Sequence, residues 1–416
     1  MSTGQHIKRG SLLDLTIEKL VYGGNGLARH NSIVCFVGYG IPGEQICAKV
    51  ETVKKNFITA SVQSITRPSS YRITPACSLF SVCGGCHFQH MAYDHQLYWK
   101  KKFVKESLFR IARISNFTVC PVLPSARVFG YRGRTNLKVG FSKNKEIGYY
   151  KRASHTVVPV RRCPLLSDPL NNALGECIKL FSEQQHHLRN VVSLDLVGIK
   201  HTAQVLVCCR TRIKQKTFSY LFPADATRSE PGHENIMGVD FIRSTESFYQ
   251  VNFDQNLEMI QLVVDCFSDL KHGAYILDLY CGCGNFSLFL AREGYTVSGI
   301  DANSAAVKEA ETNARKNDIP GCSFFTTDLN GLSRTVPNRQ FDGILMNPPR
   351  TGCSQDVLQQ VSALSPCVVV YVSCNPATLA RDLEVLLHAG YRIDAVQPVD
   401  MFPQTYHIET IVRLIR

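Results

Sequence analysis

Apolar runs at 275–279, 296–300, 341–346, 367–372 and 408–415 alternate with helical patterns at 285–293, 304–316, 354–363 and 377–388. Parallel strands need a long crossover, usually a helix, so this rhythm predicts a doubly wound, Rossmann-like α/β sheet in the last part of the chain. Ligands of such sheets lie beyond the carboxyl ends of the strands. The residues just after each run are therefore the ones to weigh for chemistry.

The first part of the chain has another rhythm. LLDLTIEKL, SIVCFVGY, EQICAKVETV and FITASVQSI read as short strands, with GGNG at 23–26 and IPGE at 41–44 as turns. They predict a small β-barrel of the oligonucleotide-binding kind over residues 1–68. A helix is expected from about Met91 to Arg113, with Leu97, Val104, Leu108 and Ile111 at helical spacing and Lys100, Lys101, Lys102 and Lys105 at other positions. Residues 114–245 read as mixed and mostly β. The stretch 226–235 is the most linker-like, giving three expected domains: 1–68, 69–235 and 236–416.

Charge divides the chain in the same way. Of its net +12, the stretch from Lys100 to Arg162 contributes sixteen Lys or Arg against Glu106 and Glu146, while the residues from Glu246 onward are net −7. A basic middle beside an acidic half suggests a polyanion-binding module next to a catalytic domain. No apolar run is long enough for a membrane span and no leader opens the chain, so a cytoplasmic protein is expected. Seventeen cysteines in such a setting point to metal binding or catalysis wherever they cluster, and otherwise to small core residues such as Cys208, Cys209, Cys281 and Cys283.

Four motifs carry chemistry. In ILDLYCGCGNFSL (276–288) a strand with Asp278 leads into a turn at Gly282 and Gly284; Asp301 closes the next strand, placed for a ribose diol. Lacking the third glycine of a dinucleotide fingerprint, the pair favours S-adenosylmethionine over NAD. LMNPPR (345–350) holds an extended loop in which Asn347 can both donate to and accept from a planar base. In VVVYVSCNPATLARDL, Cys374 follows a strand and precedes a helix, whose N-terminal field favours thiolate. A thiolate added at carbon 6 of uracil turns carbon 5 into a nucleophile for the sulfonium methyl, and Glu409 is the candidate base for the carbon 5 proton. Finally, Cys77, Cys83 and Cys86 around a Gly-Gly turn, with Cys163 as a distant fourth, signal a metal; spacing alone fits zinc or an iron–sulfur cluster. His87 and His90 are candidate zinc ligands, but read first as surface or RNA-facing residues.

With these motifs together the chain resembles the RNA uracil-5-methyltransferase family, specifically its iron–sulfur-containing 23S ribosomal RNA branch, over nearly its whole length. YGGNGLAR is similar to the RNA-binding TRAM domain. The resemblance implies a 4Fe–4S cluster on Cys77, Cys83, Cys86 and Cys163 and S-adenosyl-L-methionine contacts from Gln250 (in FYQVN), Tyr280, Asn285, Asp301, Asp328 and Asn347. It also implies Cys374 as nucleophile in SCNP and Glu409 as base in DMFPQTYHIE. The family usually has aspartate at the position of Asn347; the amide keeps the hydrogen bonds and loses the charge. The implied protein is a monomer that flips a uridine out of folded 23S ribosomal RNA, with a structural and RNA-positioning cluster rather than a radical one. Transfer RNA as substrate, or a decayed enzyme acting as an RNA-binding assembly factor, are the alternatives.

Overall fold

Strands Tyr275–Leu279, Gly343–Met346 and Val368–Ser373 are apolar on both faces because helices cover both, and all their inner residues are buried. In this computed structural model, residues 7–140, 146–183, 190–200, 204–211, 218–222, 232–244, 247–329 and 340–416 are described. The sheet runs Cys322–Thr326, Thr296–Asp301, Tyr275–Leu279, Gly343–Met346, Val368–Ser373, Glu409–Ile415, Arg392–Val399. The first five strands are parallel, and the last two join antiparallel. The predicted α/β sheet is therefore present. Two of its strands, Cys322–Thr326 and Arg392–Val399, carry no clear apolar run and are not expected from the pattern. Order reverses between Tyr275–Leu279 and Gly343–Met346, which opens the ligand crevice of a doubly wound sheet there.

The N-terminal β domain is a six-stranded sheet in the order Leu12–Thr16, Gln45–Val53, Phe57–Arg67, Ile33–Gly38, Asn25–His30, Lys19–Val21. It closes over Leu13, Ala28, Cys35, Ile46 and Ile58. A second six-stranded sheet, built from segments between Arg134 and Phe222, packs on helix Asp168–Glu183 through Leu137, Leu170, Leu174 and Leu194. The hairpin Gly232–Ile236/Val239–Arg243 rests on helix Ser304–Lys316 and adds Phe241 to the core of the large sheet. Of the linker-like stretch 226–235, residues 226–231 lie outside the described residues.

Helix Tyr93–Arg110 joins these parts. Val104 and Leu108 enter the core of the large sheet beside Leu383 and Val396. Trp99 and Phe103 pack with Leu20 and Ile41 of the β domain and with Phe88 and Met91. The helical reading assigned Lys100 to the helix's polar side, and here the structure differs. Lys100 is fully buried and donates to Asp400 Oδ1 at 2.5 Å and to the Phe402 carbonyl at 3.0 Å. No helical spacing reveals a charge whose partner lies 300 residues away. Burial alone lowers the Lys100 pKa, and Asp400 opposes that shift.

Removing one member of a buried pair strands the other charge. Lys100→Met is expected to destabilise the protein by about 3–5 kcal/mol. Combining it with Asp400→Asn, which removes the stranded charge and keeps one of the two acceptor oxygens, should recover part of that loss. Urea unfolding of the two single variants and the double variant measures this, and a double-variant loss equal to the sum of the single losses would show that the pair carries no such coupling.

Candidate active site

The register of the large sheet brings the motif residues along one edge. Leu279 pairs with Met346, so Tyr280 and Asn347 leave the sheet side by side, and the Asn347 amide donates to the Leu279 carbonyl at 3.2 Å. Ser373 pairs with Thr410, which sets Cys374 opposite Glu409. Asp301 ends the neighbouring strand on the other side of the crevice. Asp328 follows the last strand of that side and is exposed.

On the cofactor side, Asp301 accepts the Gly282 amide at 3.0 Å and the Asn303 amide at 2.8 Å, which fixes its carboxylate at the strand end. Gly282 and Gly284 have positive φ, and Tyr280 shares that conformation at φ 64°, an uncommon one for a side chain of its size. Asn285 exchanges two hydrogen bonds with Asn256, at 2.9 and 3.0 Å. Asn256 belongs to helix Phe253–Asp265, which Asn252 caps, so FYQVN is held beside the glycine turn. Gln250 Oε1 is buried without a partner, an acceptor waiting for a donor. Asp278 is fully buried, accepts from Ser287 Oγ at 2.5 Å, and burial pushes its pKa up to about 7. It braces the turn from below.

On the thiol side the sequence expectation needs correction. Cys374 sits just before Asn375, the cap of helix Pro376–His388, as predicted. Its pKa is nevertheless pushed up to about 11, first by burial and then by Glu409, with Arg350 opposing. Burial also raises Glu409 to about 8, again against Arg350. Glu409 is only 5 % exposed, not an exposed strand end. Arg350, quoted in NPPR but given no role there, is the cation common to both groups.

The segment 400–408 that leads into Glu409 is fixed from several directions. Asp400 takes Lys100 and the Tyr93 hydroxyl, at 2.5 and 2.9 Å. Gln404, at φ 68°, exchanges hydrogen bonds with Gln96 at 3.1 Å, and its carbonyl accepts the His87 and Phe88 amides at 2.9 and 3.0 Å. The Tyr406 and His407 rings adjoin, tilted by 38° with centroids 4.1 Å apart. Burial, then Arg350, lowers His407 to about 3, so it is neutral.

Cys77, Cys83, Cys86 and Cys163 border one cavity of about 540 Å³, together with Gln89, Arg132, Tyr149 and Arg350. The four are free thiols, as are all seventeen cysteines. N–H groups point at their sulfurs: Gly85 N to Cys83 at 3.4 Å and Gln89 Nε2 to Cys86 at 3.1 Å. Among the described residues no three His, Cys, Asp or Glu converge as on a single ion. His90 is not a surface residue as expected but is buried between Tyr39 and Phe80; His87 is half-buried against Tyr406. Cys208, Cys209, Cys281 and Cys283 are buried core residues. Among the described residues no helix is long and apolar enough to cross a membrane.

Residues 235–416 match the family model described as tRNA (Uracil-5-)-methyltransferase, and residues 7–62 match the TRAM domain. An uncharacterised RNA methyltransferase of Halalkalibacterium halodurans is 32 % identical over 98 % of both chains. One of Gloeobacter violaceus is 33 % identical over 99 % of both. Among solved structures, the tRNA (uracil-54, C5)-methyltransferase of Pyrococcus abyssi, in complex with S-adenosyl-L-homocysteine, superposes with a TM-score of 0.75 at 27 % identity, covering 97 % of this chain and 100 % of that one. With the fold, the TRAM domain and full-length relatives in agreement, the chain belongs to the RNA uracil-5-methyltransferase family and is an S-adenosylmethionine-dependent RNA methyltransferase.

Proposed function

We propose that the chain methylates carbon 5 of a specific uridine in 23S ribosomal RNA through a covalent bond between Cys374 and carbon 6 of the base. The observation that carries the mechanism is the juxtaposition of a thiol and a buried carboxyl on paired strands at the crevice mouth, with Arg350 beside both. S-adenosylmethionine, when bound, supplies an electrophilic methyl group. Gln250, Tyr280, Asn285, Asp301, Asp328 and Asn347 would hold it; the unpartnered Gln250 Oε1 and the ordered Asp301 carboxylate fit that role.

The Cys374 thiol releases its proton to solvent water, and its sulfur adds to carbon 6, moving the electron pair of the carbon 5–carbon 6 double bond to carbon 5. After methylation at carbon 5, Glu409, as carboxylate, removes the remaining proton there. The carbon–sulfur bond then breaks, the double bond returns, and Cys374 leaves as thiolate. Arg350 stabilises the anion at each stage by Coulomb attraction.

The same reading gives Cys77, Cys83, Cys86 and Cys163 to a 4Fe–4S cluster. Thiolates on one zinc ion lie within about 4 Å of one another, whereas a cluster binds each thiolate at a different iron. Four cysteines around one cavity, with N–H donors to two of the sulfurs, support that reading. The TRAM match and the cysteine set support a ribosomal target, in a cytoplasmic, monomeric enzyme. Transfer RNA is the second reading, favoured by the full-length likeness to the Pyrococcus enzyme. Mapping 5-methyluridine in both RNA pools of a deletion strain decides: loss confined to transfer RNA would overturn the ribosomal assignment.

The covalent step is tested with RNA containing 5-fluorouridine, since fluorine cannot leave as a proton does. Wild-type protein with S-adenosylmethionine should trap a denaturation-resistant adduct and Cys374→Ala none. An adduct with Cys374→Ala would sink the mechanism. Because only thiolate reacts, iodoacetamide labelling of Cys374 in the free protein should rise about tenfold per pH unit from about pH 7 to about pH 9.5. Above about pH 8, where Glu409 is ionised, Glu409→Gln removes a charge that raises the thiol and should speed labelling; Arg350→Met should slow it. Peptide mass spectrometry reads the site, and a Glu409→Gln protein that labels more slowly contradicts the proposed electrostatics. Anaerobically purified protein should contain iron and inorganic sulfide in equal amounts, lost in Cys86→Ser; zinc without iron would overturn the cluster.

A further inference from the structure

The N-terminal β domain reaches the reacting groups through a single turn. Between strands Lys19–Val21 and Asn25–His30, Tyr22 opens a bend over Gly23 and Gly24. The Tyr22 hydroxyl donates to the Cys374 carbonyl at 3.4 Å, a long bond that bridges 352 residues of sequence. Its ring stands edge-on to Tyr406 at 5.2 Å and to Phe103 at 6.1 Å. Cys374, Arg350 and Glu409 all lie within electrostatic reach of the phenol.

This approach is held by packing rather than by the long hydrogen bond. Gly24 lies at φ +81°, and a Cβ there would come within 3.2 Å of His87 Cβ and 3.5 Å of the Tyr406 ring. Only glycine lets the turn sit so close. Asn25 Oδ1 accepts from Arg152 at 2.7 Å, and Lys19 pairs with Glu106 at 2.9 Å. Leu20 and Ile41 share a core with Trp99 and Phe103 of the joining helix. A domain that only tethered RNA would need neither the Tyr22 contact with Cys374 nor the packing of Tyr22 and Gly24 on Tyr406.

We propose that Tyr22 is a positioning residue for methyl transfer, so that the N-terminal β domain forms one wall of the active site as well as an RNA-binding surface. Rotation of the backbone at Cys374 sets where its sulfur points, and the phenol restrains the carbonyl of that residue. This inference rests on Cys374 as nucleophile.

Single-turnover methylation and 5-fluorouridine adduct formation, both at saturating RNA, test the assignment in the full chain. Tyr22→Phe keeps the ring and should leave RNA affinity and melting temperature unchanged while slowing both rates by about fivefold, the worth of one neutral hydrogen bond. Tyr22→Ala removes the wall and should slow them by about a hundredfold, as expected for a displaced reacting group. If both variants reach wild-type rates at saturating RNA, or lose only affinity, the assignment is overturned. A Cys374→Ala protein that still methylates would instead overturn the nucleophile, an outcome read on a different variant and separable from either Tyr22 result.

Discussion

The buried ion pair between Lys100 and Asp400 is the contact on which the placement of the catalytic edge depends. Neither side chain touches solvent, and both use their remaining hydrogen-bonding capacity on the same loop: Lys100 on the Phe402 carbonyl, Asp400 on the Tyr93 hydroxyl and the Phe402 amide. Two charges moved out of water are favourable only when so fully satisfied. The pair therefore specifies one arrangement of helix Tyr93–Arg110 against segment 400–408 and penalises alternatives, since any shift leaves a charge unpaired. Glu409 follows that segment directly, and the N-terminal β domain packs on the other side of the helix. One interaction thus ties the carboxyl, the helix and the β domain into a common frame.

How much of this the sequence revealed depended on the range of the interactions. The strands with unbroken apolar runs and the helix Ser304–Lys316 were legible because burial on both faces, or on one stripe, leaves a local pattern. Arg392–Val399 was not: it is an edge strand with alternating burial, and pairing with Glu409–Ile415 rather than its own composition makes it a strand. Lys100 misled for a related reason. A lysine beside three others looks like part of a basic face, and only the partner from the far end of the chain turns it inward.

The candidate site divides in the same way. Cys374, Glu409, Asp301 and the four clustered cysteines were visible because motif spacing carries them. Arg350 and Tyr22 were not singled out, although both lie inside quoted motifs, NPPR and YGGNG. Their importance comes from proximity created by folding: an exposed arginine that reaches the thiol, and a tyrosine from the first domain that meets a carbonyl in the last. The direction of the Cys374 shift was misread because the helix N-terminus was visible in sequence while the burial and the facing carboxylate were not.

That misreading has a mechanistic use. With the thiol near 11 and the carboxyl near 8, the free site at neutral pH holds two protonated groups and one guanidinium. A neutral thiol is a poor nucleophile toward oxidants and stray electrophiles, so on the proposed reading the half-buried Cys374 is protected at rest. Both proton equilibria respond to positive charge, as the opposition of Arg350 to each shift shows. On the proposed reading, the sulfonium of the methyl donor adds a second cation to the same crevice. It favours ionisation of the thiol that must attack and of the carboxyl that must later accept a proton. Coulomb attraction in a low-dielectric pocket is strong enough for one unit charge to matter to both. On the proposed reading, both groups would then ionise more readily with the methyl donor bound.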